Sequence, residues 1–503
     1  MAKLKKKNKK RSPIIVIMVL ILVTLISACV LSLIGVGGYK TSIANGGLET
    51  SLVSIRNPLS IKGICALVSQ SVNNFLNFKP LIYFLICIIG IGVLNKSGLL
   101  DAVTKPFKNV KINIIIFMTF IISILFTYFG EYSYTMLIPL TALVYKKLGK
   151  NPILGVIICF IGITACYGTN FIFNYDDFSL GELTKASATL EVDKNYKFVL
   201  SSTLFIMISS CIILSIIGTL ISKKTLEMNI YDVKKEEQEE AIYSKRALLF
   251  STISFFILLG FIIYLVLPLK LPGAGVLLGN GKTYVERLFS TTSPFRTSFS
   301  VLFVLICSVC GVVYGFISKN FKNSHDFGSS LSSLSGFIGS FVVYSFAISQ
   351  LVSIVSWTRI GEVISYRLIE FMNTLQFSGI PLIIVFFLVV VIISLLVPDM
   401  YTKWTIISPT IVPLFMRSNI TPDFTQFIFR AADGIGKCLT PVFGYFIVML
   451  AVIDYYKKDE ITLGGIFKKM LPIVLTLAGV WILILIGWYV IGLPLGVSTG
   501  TTL

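Results

Sequence analysis

SLLVPDMYTKWTIISPTIVPLFMRSNITPDFTQFIFRAADGIGKCLTP, residues 394–441, decides how this chain is read, because it sets prolines, glycines and charges where the surrounding composition is that of hydrocarbon-embedded protein. Two apolar arms, 381–397 and 404–416, flank a polar tip of Pro398, Asp399, Tyr401, Thr402 and Lys403. An apolar segment comes next and is interrupted at Asp433-Gly434-Ile435-Gly436-Lys437. A charge at the centre of a bilayer costs roughly 2.5–3.5 kcal/mol on insertion scales, so polar groups at that depth face a bundle interior or a wet cavity.

The same layout occurs earlier. Tyr134, Pro139, Pro152 and Asn170 are spaced like Trp404, Pro409, Pro422 and Thr440, each 270 positions later (404 against 134). Both copies have an apolar arm, a polar tip (Gly130-Glu131-Tyr132-Ser133 in the first), a returning arm, and an apolar segment broken by small and polar residues. A hairpin followed by a broken helix, twice, is the layout of many secondary transporters.

With 503 residues, 55% hydrophobic and 13% charged, and a mean hydropathy of +0.88, the chain reads as an all-α polytopic membrane protein. Its net charge of +19 sits mostly in tails and short loops, where it is an orientation signal and not a nucleic-acid surface. The nine cysteines fall mainly inside apolar runs and read as small core residues. A single histidine, His325, leaves no His-based metal site or triad. No nucleophile elbow or paired aspartates at protease-like spacing appears either, so no enzyme and no cofactor are expected. A channel would want a continuous polar stripe, not two breaks at matching positions.

The apolar runs and lysine-rich loops predict nine spans: 13–36, 79–99, 152–173, 198–222, 247–269, 298–318, 331–356, 424–455 and 470–493, with hairpins at 112–146 and 381–416. The second arm of the first hairpin, 133–145, is short for a full crossing. The organisation is then a basic cytoplasmic tail 1–12, a first span with an interfacial segment at 13–78, a first repeat at 79–173, scaffold spans at 174–330 with a cytoplasmic loop 223–246, a second repeat at 331–455, and a last span within 456–503. Residues 61–72 and 359–379 read as interfacial helices and 174–197 as a polar loop. The charge rule places the N-terminus in the cytoplasm, the C-terminus outside and the two hairpin mouths on opposite sides, so the repeats come out inverted around a midplane site suited to alternating access.

In the second repeat Arg430, Asp433 and Lys437 lie at i, i+3 and i+7, one face of a helix. Arg430 or Lys437 is positioned to bind a substrate carboxylate while Asp433 supports the cation or takes part in coupling; the alternative is a structural Asp433–Lys437 pair. Gly434 and Gly436 point to local unwinding there. In the first repeat the break is Cys166-Tyr167-Gly168-Thr169-Asn170, whose Thr169 and Asn170 groups suit a substrate or a sodium ion; the alternative is a simple helix interruption at the membrane surface. Glu131 reads either as an intramembrane carboxylate for coupling or as a tip residue in water, and Trp404 either stacks on an aromatic substrate or anchors the hairpin arm. Asp176 and Asp177 come after the first break as loop residues.

At these residues the chain resembles the AbgT family, the p-aminobenzoyl-glutamate transporters. IGIGVLNKSGLL (89–100) resembles that family's GxGVAExSGLL segment, and YTMLIPLTAL, KWTIISPTIVPLFM and TPDFTQFIFRAADGIGKCLTP resemble its hairpin and broken-helix motifs. Trp404, Pro422, Arg430, Asp433 and Pro441 fall where the family has those residue types, and Asp177 falls at a family aspartate seven residues after the Asn of the first break. The resemblance implies a dimer of nine spans and two hairpins per chain, an ion-driven carrier of p-aminobenzoyl-glutamate or an exporter of sulfonamide-like antimetabolites in the cell membrane. From the two basic residues alone, a dicarboxylate or other organic anion fits equally. GEYSY stands where the family has SDAGY, YGTN for FSAN, DMYTKW for SASAKW, and ADGIGK for GDSVTN. The last departure implies that the Lys437 ammonium takes the place of a coupling cation, H+ or Na+ being the driving ion otherwise, with Asp399 balancing the added charge.

Overall fold

Long apolar runs coil because a helix satisfies every backbone N–H and C=O within its own segment, which lipid cannot do. A computed structural model describes residues 12–44, 47–226, 241–457 and 462–503. From the N-terminal side come α1 (Pro13–Leu33), an antiparallel pair β1 (Gly37–Ala44) and β2 (Gly47–Ser54), α2 (Ile61–Ser69), α3 (Ser71–Leu76), α4 (Lys79–Lys96) and α5 (Leu99–Thr104). The first hairpin is α6 (Ile112–Phe126) and α7 (Tyr132–Lys147), succeeded by α8 (Pro152–Ala165) and α9 (Tyr175–Glu191). Then come α10 (Leu204–Thr225), α11 (Lys245–Val266), α12 (Tyr284–Phe289), α13 (Pro294–Thr297), α14 (Phe299–Ser318) and α15 (Ser324–Leu331). After α16 (Ile338–Thr358) and α17 (Ile360–Thr374), the second hairpin is α18 (Gly379–Leu396) and α19 (Met400–Arg417), succeeded by α20 (Pro422–Cys438), α21 (Phe446–Tyr456) and finally α22 (Leu463–Ile491).

Nine helices among the described residues are long and apolar enough to cross a membrane. Seven coincide with expected spans: α1, α4, α10, α11, α14, α16 and α22. The other two, α6 and α18, are the first arms of the two hairpins. The segments 152–173 and 424–455, expected as broken helices, are made of shorter pieces. At ~1.5 Å per residue the 14 residues of α8 reach about 21 Å, short of a ~30 Å hydrocarbon core. Each of these segments therefore carries an irregular stretch at depth, which is tolerated only where protein or water surrounds it.

These pieces form the centre of the molecule. Every residue of α8 and of α20 is buried, whereas α1 and α11 leave most of their side chains on the outside. The helix α8 packs on α6, α7, α20 and α21, and α20 packs on α18, α19, α9 and α22. Each hairpin thus embraces the broken segment after it, and the two broken segments touch.

Three expectations change. The stretch 174–197 is not a loop: Asn174 caps α9 by accepting from the backbone N–H of Asp176 (3.0 Å) and Asp177 (3.1 Å), and Leu180, Thr184, Ser187 and Ala188 form a buried face at helical spacing. The low-charge stretch after α1 contains a β-hairpin; its sequence signal was Asn45-Gly46 between two eight-residue runs. Finally, Asp433 to Lys437 is helical, and the chain unwinds later, between α20 and α21. Gly434 and Gly436 are needed for close packing: a Cβ on Gly434 would collide with the Thr164 carbonyl oxygen of α8, and one on Gly436 would lie 2.6 Å from the Val391 carbonyl oxygen of α18. The basic tail 1–11, most of the 223–246 loop and residues 458–461 lie outside the described residues.

Tight packing at these glycines has a measurable consequence. Gly434→Ala is expected to destabilise the protein by about 1–3 kcal/mol through overpacking of α8 against α20. Gly464→Ala in α22, where nothing lies within 4 Å of the new methyl, is expected to be neutral or slightly stabilising. Thermal melts of the two variants in detergent check the contrast; equal melting temperatures would mean that the α8–α20 approach is looser than described.

Candidate functional site

Five of the seven charged residues in 394–441 are buried: Lys403, Asp423, Arg430, Asp433 and Lys437. Asp433 of α20 is 0% exposed and holds two lysines: Lys403 of α19 on Oδ1, and Lys437 on Oδ2 at 2.8 Å. Ser394 of α18 donates to the same Oδ1 at 2.8 Å and accepts from Lys403 Nζ at 3.0 Å. One carboxylate therefore ties the arms α18 and α19 to α20. Arg430, one helical turn earlier, pairs with Asp177 of α9, whose Oδ2 also accepts the Asn174 backbone N–H at 2.7 Å. The Asp433–Lys437 pair, the alternative reading of the sequence, is present together with two pairs between elements, Lys403–Asp433 and Arg430–Asp177. Arg430 Nε remains buried without a hydrogen-bond partner among the described residues.

The first break brings Tyr167 between these groups. Its hydroxyl donates to Asp176 Oδ2, and its ring lies 5.8 Å from the Arg430 guanidinium carbon and 5.4 Å from Lys437 Nζ. Gly168, with φ +105°, keeps Arg430 close: a Cβ there would sit 3.1 Å from Arg430 Cβ. Asp177 is thus a charge partner in the interior, and the half-buried Asp176 holds the Tyr167 hydroxyl; both sit in the first turn of α9 and not in a loop. Asn170 uses its amide on the end of α6, donating to Thr127 Oγ1 (3.1 Å) and the Ile124 carbonyl (3.3 Å) while its Oδ1 accepts from Phe171 N. The Thr169 hydroxyl donates to the Cys166 carbonyl at 2.8 Å. In this conformation both residues brace the first break.

Trp404 is fully buried. It packs on Phe429 with ring centres 4.6 Å apart, and its Nε1 donates to Thr184 Oγ1 at 2.9 Å, which in turn donates to Gln426. Pro422 opens α20 as its first residue, where its missing N–H is harmless. Thr440 bonds the Leu395 carbonyl at 2.9 Å and receives Val442 N, fixing the second break beside Pro441. Asp399 caps α19 by accepting from Thr402 N at 2.6 Å, and Tyr401 is half exposed. Asp399 is not the ion partner of Lys437; Asp433 is.

A cavity of about 700 Å³ opens where the two tips meet the second break. Glu131 of the first tip, Pro398 and Asp399 of the second, and Val442 to Tyr445 line it, together with amide and hydroxyl side chains at the ends of α3 and α16. Tyr445 donates to Glu131 Oε2 at 3.2 Å and stacks on Tyr134 with centres 5.2 Å apart. Phe443 also lines the cavity and has Lys437 Nζ 5.3 Å from its ring centre. Of the residues singled out in the sequence, Glu131 and Asp399 therefore share one cavity. Arg430, Asp433, Lys437 and Asp177 share the buried cluster, with Phe443 bridging cluster and cavity. Lys403 belonged to the polar tip but was not singled out. Its signal was a lysine directly before Trp404, at the foot of an apolar arm.

A family model described as the "AbgT putative transporter family" matches residues 5–503. The p-aminobenzoyl-glutamate transport protein of Escherichia coli is 26% identical over 491 residues, covering 97% of this chain and 94% of its own length. Two solved structures are also similar: the Alcanivorax borkumensis YdaH transporter, described as having an unusual topology (25% identity, TM-score 0.49, 97% of this chain and 100% of that one), and Neisseria gonorrhoeae MtrF, described with a class of antimetabolite efflux pumps (23% identity, TM-score 0.49, 98% of each chain). With its family model matched over nearly its whole length, this multi-pass membrane protein belongs to the AbgT transporter family.

Proposed function

We propose that the protein is a secondary carrier of a small organic anion of the p-aminobenzoyl-glutamate or sulfonamide-like antimetabolite class, working by alternating access across the cell membrane on a proton or sodium gradient. The observation that carries the anion is Arg430, a guanidinium buried to 3% exposure that gives Nη1 to Asp177 and leaves Nε unpartnered among the described residues. A buried donor without a partner costs free energy, and a cargo carboxylate arriving there would recover it as a charge-assisted bond. The broken segments supply the moving parts, since helix ends and free carbonyls at depth can change partners without exposing backbone to lipid. On this reading each hairpin enters and leaves the membrane from one side, the two units are inverted, the N-terminus lies in the cytoplasm, and the carrier works as a homodimer.

Reconstituted protein should show saturable counterflow: vesicles preloaded with unlabelled p-aminobenzoyl-glutamate should accumulate the labelled compound transiently, and Arg430→Met should abolish it. Flux that rises linearly with concentration and without counterflow would point to a pore and sink the carrier reading.

A further inference from the structure

The cavity at the hairpin tips has a composition at odds with an anion site. Its charged lining residues are Glu131, Asp399 and Lys79, two carboxylates against one ammonium. Neither Glu131 nor Asp399 is in an ion pair among the described residues, while Arg430, Lys403 and Lys437, the basic residues of the buried cluster, are all paired with aspartates. Glu131 receives Tyr445 on one oxygen and Asp399 receives Thr402 N on one oxygen, so each keeps acceptor capacity toward the cavity. The walls between them are aromatic, with Phe443 and Tyr445 on the second break. A second pointer to a ligand lies deeper, at the orphaned Arg430 Nε, and Tyr167, Lys437 and Phe443 form the chain of contacts from there to the cavity.

We propose that the cavity reads the amine end of the cargo: an aryl amine donates its two N–H bonds to Glu131 and Asp399, its ring lies against Phe443 and Tyr445, and the anionic end points inward toward Lys437 and Arg430. This rests on the cargo class proposed above and makes it more specific. Two carboxylate acceptors on separate hairpins favour a group with two donors over one with none, because closing the tips on a cargo without donors would desolvate both carboxylates for nothing. A plain dicarboxylate, acceptor at both ends, would meet like charge at the tips. Closing the tips on the amine also links recognition to movement, since Glu131 and Asp399 belong to the two different hairpins.

The test compares p-aminobenzoyl-glutamate with benzoyl-glutamate, which lacks only the amine, by calorimetric titration of the detergent-purified full chain. Wild type is expected to bind the amine-free compound about tenfold more weakly, the two amine bonds being offset in part by the desolvation of their partners. In the double variant Glu131→Gln, Asp399→Ser the ratio is expected to fall below about threefold; Gln keeps the bond from Tyr445, and Ser retains the cap of α19. The single variant Asp399→Ser, on a side chain exposed to the cavity, serves if the double variant does not fold, with an intermediate ratio expected. Equal affinities for both compounds in wild type, or an undiminished ratio in the variant, overturn the proposal while leaving the carrier reading in place. Absence of binding to either compound by wild type overturns the cargo class and this inference with it.

Discussion

Asp433→Asn is expected to cost the protein about 3–5 kcal/mol of stability, the loss typical of a buried charge stripped of its counter-charge. Lys403 is 0% exposed and Lys437 4% exposed, and both direct their ammonium groups at this one carboxylate. An amide is almost isosteric, so packing survives, but two cations would then face each other across a neutral group in the interior. Their mutual repulsion adds to the lost attraction. Replacing the cluster together, Asp433→Leu with Lys403→Met and Lys437→Met, is expected to recover most of the loss, because apolar residues of similar volume carry no desolvation penalty. Yield and thermal melting in detergent distinguish the two. If Asp433→Asn melts with wild type, the two lysines have other solvation and the cluster does not bind α18 and α19 to α20. The triple variant would also separate stability from transport, since it removes the charges while keeping the helix contacts.

If the Lys437 ammonium takes the place of a coupling cation, as the sequence departure implies, Lys437→Asn is expected to make transport markedly more dependent on sodium. In wild type the ammonium 2.8 Å from Asp433 Oδ2 already supplies the positive charge that a hard cation would bring to a carboxylate surrounded by oxygen ligands. An asparagine removes that charge and offers an amide oxygen in its place, next to the Ser394 hydroxyl and the remaining Asp433 oxygen. Proteoliposome uptake driven by a pH gradient should change less than about twofold when sodium is omitted from wild type and on the order of tenfold in the variant, the size of an ordinary coupling free energy. Strict sodium dependence of the wild type would sink the idea. So would a variant that transports without sodium as well as wild type does. The comparison uses the same vesicles and the same cargo, so a change in cargo affinity shows separately as a shift in the half-saturating concentration.

Several features were legible because they are properties of local sequence. The lengths of apolar runs and the absence of water in lipid were enough for the helical class and for most span positions, as α1, α4, α10, α11, α14, α16 and α22 show. The hairpin arms were visible from the prolines and polar tips. Misreadings came where a residue type has two uses. Asp176 and Asp177 near a polar segment looked like solvated loop, yet Asn174 three positions before Asp177 is the cap of a helix whose buried face mixes Leu180 and Ala188 with Thr184 and Ser187. Gly434 and Gly436 looked like a place to unwind, yet they are the flat patch that lets α20 lie against α8 and α18.

What the sequence determined by itself is a helical membrane chain with two hairpins, each leading into a broken helix, and with Arg430, Asp433 and Lys437 on one face; each of these comes from spacing along a single helix and from the cost of polar groups in lipid. Only the tertiary structure decided which charges meet. The choice of Lys403 as second partner of Asp433, of Asp177 as partner of Arg430, and of Glu131 and Asp399 as neighbours on one cavity depends on how separate helices cross. Periodicity is blind to that, because an ion pair between elements is set by packing in space and leaves no fixed interval in the chain.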